Sequence, residues 1–135
     1  MTLKYTAMML LVGAGLLSAC SSGAPEQSVR FVQPADGAVV GQDVNIVMAV
    51  DGMKVHKAGE LIEGTGHHHL IIDGSFIVKG EGVPKDATHK HFGKGQTETT
   101  IRLAPGEHTL TLQFADGHHQ SYGKPISTTI TVHVK

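Results

Sequence analysis

Hydrophobic and polar residues alternate in several short segments of this 135-residue chain. In the clearest case, Val44, Ile46, Met48 and Val50 occur at every second position. A period of two places such side chains on one face of an extended strand. Further short strands are predicted in VRFV (29–32), HHHLIID (67–73), SFIV (75–78), TETTIRL (97–103), TLTLQFA (109–115) and ISTTITVHV (126–134). The pattern therefore predicts about seven or eight strands.

Turn-forming residues separate these segments at regular intervals, as in the stretches QPADG and APGEH. No segment carries the apolar stripe of a helix over a useful length. Short strands joined by frequent turns favour an all-β fold, an antiparallel immunoglobulin-like β-sandwich. The chain has no tryptophan and one cysteine. The similarity is therefore to the sandwich architecture and not to the Cys–Trp–Cys pattern of antibody domains.

The N-terminal stretch MTLKYTAMMLLVGAGLLSAC has the composition of an export signal. Lys4 precedes an apolar run that is too short to span a bilayer comfortably, and small residues precede Cys20. This arrangement resembles a bacterial lipoprotein signal, although an ordinary secretory signal is the alternative. We predict a signal peptide over residues 1–19, a flexible tether over residues 20–28 and the sandwich domain over residues 29–135.

In this interpretation Cys20 carries the lipid and anchors the protein to a membrane. Ser21 follows it, and by resemblance to Gram-negative lipoproteins this indicates the outer membrane, facing the periplasm. Because Cys20 is the only cysteine, no internal disulfide can form and no thiolate remains for metal binding or catalysis. The net charge is −1 and no basic cluster is present, so no nucleic-acid partner is expected.

Histidine is the most informative residue type, with ten in the chain. In a strand, residues i and i+2 share a face, so His67 and His69 should project together as an exposed pair. His68 should point inward, as a partly buried histidine with a backbone hydrogen bond. His89 and His91 form the same i, i+2 pair in HKH, and we predict that this pair completes a site begun by His67 and His69.

Two further groups lie at turns: His108 after a Pro-Gly turn, and His118-His119 in the last long loop. Loops gather at the ends of a sandwich, so histidines distant in sequence can become neighbours. Each group also has a structural interpretation. His108 can cap a backbone group, and His118 and His119 can belong to a solvated loop.

Three stretches carry a family resemblance: GTGHHHLIID, THKHFGKGQTETTIRLAPGEHTLTLQFADGHH and ISTTITVHV. They resemble the bacterial family called domain of unknown function 4399, small exported proteins of which many are lipoproteins, over roughly residues 29–135. A weaker likeness links Pro105 through His118 to periplasmic copper-resistance sandwiches, and it implies Asp116 and His118 as copper(II) ligands. The family resemblance favours His119 over His118. It implies seven metal-site candidates, which are His67, His68, His69, His89, His91, His108 and His119.

These observations predict a non-enzymatic envelope lipoprotein whose histidines bind copper(II) or zinc for buffering, delivery or tolerance. Affinity for imidazole ligands favours copper among the divalent ions. Only Met48 and Met53 follow the signal, so a methionine-rich copper(I) site is not expected. One alternative is a structural or interaction module of the envelope with structural histidines. Another is a hydrolase with a His/Asp site or a metal-bound water, although the sequence lacks a nucleophile elbow or zinc-glutamate helix motif.

Overall fold

The computed structural model describes residues 23–135. The predicted signal peptide and the predicted lipidation of Cys20 therefore lie outside the described residues. Within residues 23–135, no helix has the length and hydropathy needed to cross a bilayer. The elements in chain order are β1 (Ser28–Gln33), β2 (Ala38–Val40), β3 (Asp43–Asp51), β4 (Lys54–Val55), β5 (Thr65–Ile72), β6 (His89–His91), β7 (Glu98–Arg102), β8 (Gly106–Ala115), a 3-10 turn (Lys124–Ile126) and β9 (Ser127–Val134).

The strands form two sheets. The smaller has the order β1-β3-β7, and the larger has the order β2-β9-β8-β5-β4, with β6 also paired to β5. Most pairs are antiparallel, but β2 runs parallel to β9 and β4 parallel to β5. The predicted all-β sandwich is confirmed, and its immunoglobulin-like order remains a prediction. The strand count exceeds the predicted one because β2, β4 and β6 have only three, two and three residues, too few to show an alternating pattern.

The core lies between the two sheets and is built from the alternating positions that the sequence pattern identifies. Ile46 of the smaller sheet and Leu70, Leu112 and Phe114 of the larger sheet are fully buried. Burying each such side chain stabilises the fold by about 1.5–3 kcal/mol. In β5 and β8, the side chains that point away from the smaller sheet are buried as well. These two strands therefore lack the usual contrast between one buried face and one exposed face.

The segment after β5 explains this second buried face. The predicted strand at residues 75–78 is wrong: these residues belong to no strand and instead cross the outer face of the larger sheet. The backbone N–H of Ile77 donates to Oε1 of Gln113 at 3.0 Å, and Thr111 Oγ1 donates to the carbonyl of Gly74 at 2.9 Å. Ser121 Oγ donates to the carbonyl of Ile77 at 2.8 Å. This covering segment, residues 74–78, lies over the outer face of β8, beside the outer face of β5 on which two histidines of the triplet lie.

Candidate metal centre

Four imidazoles converge on the covered outer face of the larger sheet. Each offers one ring nitrogen, and these four atoms lie within 4.8 Å of one another. We call this group the four-histidine cluster; its members are His67, His69, His91 and His119. A group of this composition and spacing can hold one metal ion, because neutral imidazole is a common ligand for transition metals.

Strand register brings three of the members together. His67 and His69 share the outer face of β5, and His91 of β6 lies directly opposite His69 in the antiparallel pairing. The ring centroids of His69 and His91 are 5.0 Å apart, and those of His67 and His91 are 5.1 Å apart. Two short stretches of sequence thus supply three ligands on one surface.

His119 reaches the cluster from the loop between β8 and β9. Its φ is 65°, a left-handed conformation that is uncommon for a residue other than glycine. Its backbone N–H donates to the carbonyl of Asp116 at 2.9 Å, and its own carbonyl accepts from Val83 at 2.9 Å. The backbone N–H of Gly59 donates to the carbonyl of Gly117 at 2.8 Å. The loop is therefore fixed at several points, and the position of His119 is set by the fold.

The distances within the cluster suit a single ion. Nε2 of His67 lies 2.9 Å from Nε2 of His69 and 3.0 Å from Nδ1 of His119. Four ligands at about 2.0 Å from a tetrahedral ion lie about 3.3 Å from one another. The ring centroids are between 4.6 and 5.1 Å apart in every pair except His69 and His119, at 6.1 Å. The cluster therefore has nearly the size that coordination requires.

Burial favours the neutral form of His67, His69 and His91. Desolvation, reinforced by the neighbouring histidines, lowers the pKa of His67 to about 4 and that of His69 to about 2. Desolvation and the charges of His119 and Lys85 also lower the pKa of His91. Within residues 23–135, Nδ1 of His67, Nδ1 of His69 and Nε2 of His91 are buried without a hydrogen-bond partner. In His67 and His69 the other ring nitrogen, Nε2, is the one that faces the cluster, and neutral imidazole is the form that binds a metal.

The prediction that His67 and His69 form an exposed pair is wrong, because their exposed fractions are 0% and 1%. They do share a face, but the imidazole of His91 and that of His119 from the β8–β9 loop pack against them on that face. His68 points into the core as predicted, with its ring 5.1 Å from that of Phe114. The predicted backbone hydrogen bond of His68 is wrong, since neither ring nitrogen has a partner among the described residues. Desolvation lowers the pKa of His68 to about 4.

His89 does not join His91 in the cluster. His89 lies opposite Ile71, whereas His91 lies opposite His69, so His89 is further from His67 along β5. Its Nδ1 contacts Oδ1 of Asp86 at 2.8 Å. The Asp86 carboxylate also accepts the backbone N–H groups of Thr88 and His89, both at 2.9 Å. His89 is therefore placed in a hydrogen-bonded turn next to the cluster, and the structure does not bring the predicted HKH pair to one point.

His108 also lies apart from the cluster and has two local partners. Nδ1 contacts Oδ2 of Asp73 at 2.8 Å, and Nε2 contacts the carbonyl oxygen of Ala104 at 2.9 Å. Both partners are acceptors, so both ring nitrogens must donate, and the hydrogen bond to Asp73 raises the pKa of His108. This arrangement matches the capping role that the sequence left open.

We expect His108→Gln to lower the free energy of unfolding by about 1 kcal/mol at pH 5.5, because it removes a partly exposed charge-assisted hydrogen bond. A raised pKa in the folded state gives stability that is complete below pH 6.5 and is lost as pH rises through the folded value. The difference between variant and parent should therefore shrink by pH 9. Urea unfolding of both chains in chelator measures it, and a difference that grows with pH would contradict the assignment.

The remaining histidines lie outside the cluster. His118 is exposed, so the β8–β9 loop contributes the histidine that the family resemblance favours. His56 contacts the carbonyl of Lys57 at 3.0 Å, and His133 is 3.6 Å from Glu107. The sequence analysis missed Gly93, where a Cβ would collide with the ring of His91. The only available signal was its position two residues after a candidate ligand.

Comparison with known proteins adds one finding. The family model described as domain of unknown function (DUF4399) matches residues 46–135, which include every member of the four-histidine cluster. The search of curated proteins and the search of solved structures gave no match.

Proposed function

The chain belongs to the family of the domain of unknown function DUF4399, and we propose that it binds one transition-metal ion through the four-histidine cluster. The observation that carries the proposal is the convergence of four ring nitrogens within 4.8 Å from three separate parts of the chain. A cluster of neutral imidazoles is costly to bury without partners, and coordination to a cation would give their lone pairs an acceptor.

Zinc fits the geometry best, and copper(II) is the second candidate. Four ligand atoms form six pairs, and around a tetrahedral zinc ion all six distances are equal. Around a square-planar copper(II) ion, the two diagonal distances are about 1.4 times the other four. Five of the six centroid separations fall between 4.6 and 5.1 Å. Only the pair His69 and His119, at 6.1 Å, departs from the tetrahedral pattern.

We propose buffering, delivery or tolerance of the metal in the bacterial envelope, and not catalysis, as the role. Four protein ligands are typical of binding and structural zinc sites, whereas catalytic sites usually have three and a water. The envelope location rests on the N-terminal sequence, where Cys20 would carry the lipid. Lipid on Cys20 would hold the cluster near the membrane surface, at the outer membrane facing the periplasm.

The rival function is a structural module in which the cluster is held by hydrogen bonds alone. The contacts of 2.9 and 3.0 Å at Nε2 of His67 have the length of such bonds. A neutral imidazole nitrogen is either donor or acceptor, so that atom can donate to one neighbour at most. In this case metal would not bind and a chelator would leave the melting temperature unchanged.

Calorimetric titration of zinc into the full chain decides between them. The chain is purified in detergent, stripped with chelator and carries no polyhistidine tag, since a tag would bind zinc itself. We expect one zinc per chain at pH 7.5, and loss of this binding in His67→Gln/His69→Gln/His91→Gln. The matched control is His56→Gln/His118→Gln/His133→Gln, which removes equally many histidines outside the cluster and should bind as the parent does. Equal binding by both triple variants would overturn the proposal.

Gly93→Ala tests how the position of His91 is fixed. The added Cβ would collide with the imidazole ring of His91, which must then rotate away, while the backbone of Gly93 is not in the left-handed region. We expect about 10-fold weaker zinc binding, as for loss of a group that orients a ligand. Gly41→Ala is the control, because a Cβ there meets nothing within 4 Å. Unchanged affinity in Gly93→Ala would show that His91 is not held in this way.

A further inference from the structure

A small cleft opens beside the four-histidine cluster. It is lined by His69, Val83, Lys85, His91 and His119, and its volume is about 120 Å³. About 10–15 Å³ of such space holds a water molecule, so several waters or a small anion fit. His67 does not line the cleft and is fully buried. An ion in the cluster would therefore be covered on the side of His67 and accessible on the opposite side.

The charges around the cleft are positive. Lys85 lines it together with three histidines of the cluster. A neighbouring depression shares Lys85 and His91 and adds Lys94. No aspartate or glutamate lines either depression in the described part of the chain. A divalent ion held by neutral imidazoles leaves a net positive site, and Lys85 adds to that charge.

The four-histidine cluster also leaves room for another ligand on the ion. Zinc coordination is four-coordinate in most protein sites and sometimes expands to five ligands. The centroids of His69 and His119, both on the cleft side, are the most widely separated in the cluster, at 6.1 Å. The widest gap between imidazoles thus borders the cleft.

We propose that the ion held by the four-histidine cluster takes a small coordinating anion as a further ligand, through the cleft, with Lys85 as the counter-charge. This inference rests on the proposed metal site and adds its ligand chemistry. A site of this kind lets an anion in the medium modulate how the ion is held and released. The anion donates a lone pair to the ion, and no bond in the protein changes.

Azide titrated into the cobalt(II)-loaded full chain tests the proposal, because the visible spectrum of cobalt(II) reports its coordination number. We expect a saturable loss of the intense tetrahedral bands as a fifth ligand binds. Lys85→Met should weaken azide binding roughly 3- to 10-fold while cobalt remains bound, because a charge-assisted contact is lost. Lys54→Met, at an exposed lysine that does not line the cleft, makes the same charge change and should behave as the parent.

Perchlorate at the same ionic strength is the control anion, since it does not coordinate. A spectrum that changes with azide and not with perchlorate supports the proposal. A spectrum that azide leaves unchanged, or equal azide affinity in parent and Lys85→Met, overturns it. If cobalt fails to give any cluster-dependent spectrum, the metal site itself is rejected, so the two failures are distinguishable.

Discussion

Replacing His69 with alanine is expected to weaken zinc binding by at least about 100-fold. Loss of a group that only orients a ligand weakens binding by about 10- to 100-fold, and loss of the ligand itself should cost more. His69 is central to the cluster: it lies directly opposite His91 in the strand pairing, and Nε2 is 2.9 Å from that of His67. Competition with a chromophoric zinc chelator at pH 7.5 measures the change.

His89→Ala is the matched control for this prediction. His89 lies on the same short strand as the ligand His91, two residues away, but its ring nitrogen contacts Asp86. We expect its zinc affinity to stay within about twofold of the parent, because no ligand is lost. A loss in His89→Ala as large as that in His69→Ala would mean that His89 enters the coordination sphere, and the cluster would have to be redrawn.

The contrast between His69 and His89 also shows which features of the site the sequence predicts and which it does not. Alternation of apolar residues predicts β3, β8 and β9, because these strands bury one face against the other sheet. The i, i+2 rule correctly places His67 and His69 on one face. The same rule applied to HKH predicts a second pair, but in the antiparallel pairing only His91 lies opposite His69. Register depends on which strands meet, and the sequence of one strand does not contain it.

Burial of the triplet could not be predicted for a similar reason. Strand geometry predicts one inward and one outward face for the histidines, and an outward face is normally exposed. Here the imidazoles of His91 and His119 pack against that face, and the covering segment lies over the neighbouring strand, held by Gln113 and Thr111. The run SFIV (75–78) contains apolar and β-branched residues, so its composition is typical of a strand. In the structure it belongs to no strand and lies over the larger sheet instead. Long-range packing therefore turned a surface pair into a buried one.

The zinc-free chain is expected to lose stability steeply as the pH falls below about 6.5. Desolvation lowers the pKa of His67 and His68 to about 4 and that of His69 to about 2, and it also lowers the pKa of His91. Each unfolded histidine binds a proton near pH 6.5, so the unfolded state takes up more protons than the folded state below that pH. The stability is fully present above pH 6.5 and falls until the folded pKa values are reached.

The size of this loss follows from the difference in bound protons between the two states. Each histidine that is neutral in the folded state and protonated in the unfolded state lowers the free energy of unfolding by about 1.4 kcal/mol per pH unit. Several such residues together can remove most of the 5–15 kcal/mol typical of a small domain before pH 4. In the proposed site zinc would bind the folded cluster and not the unfolded chain, and at 100 times its dissociation constant it would add about 2.7 kcal/mol. We therefore expect zinc to move the acid midpoint, measured by circular dichroism, to lower pH. Coincident acid curves with and without zinc would contradict this.

His68→Leu separates the acid sensitivity of the core from that of the metal site. His68 packs against Phe114 and both of its ring nitrogens lack partners among residues 23–135, so leucine should suit the position better than imidazole. Removing an unsatisfied buried group should raise stability by about 1–3 kcal/mol at pH 7.5, and by more at pH 5, where the parent resists protonation. Because the His68 side chain faces away from the cluster, zinc should still shift the acid midpoint of this variant. If His68→Leu abolished that shift, the inward and outward histidines would not be independent, and the division of the triplet into core and ligand residues would fail.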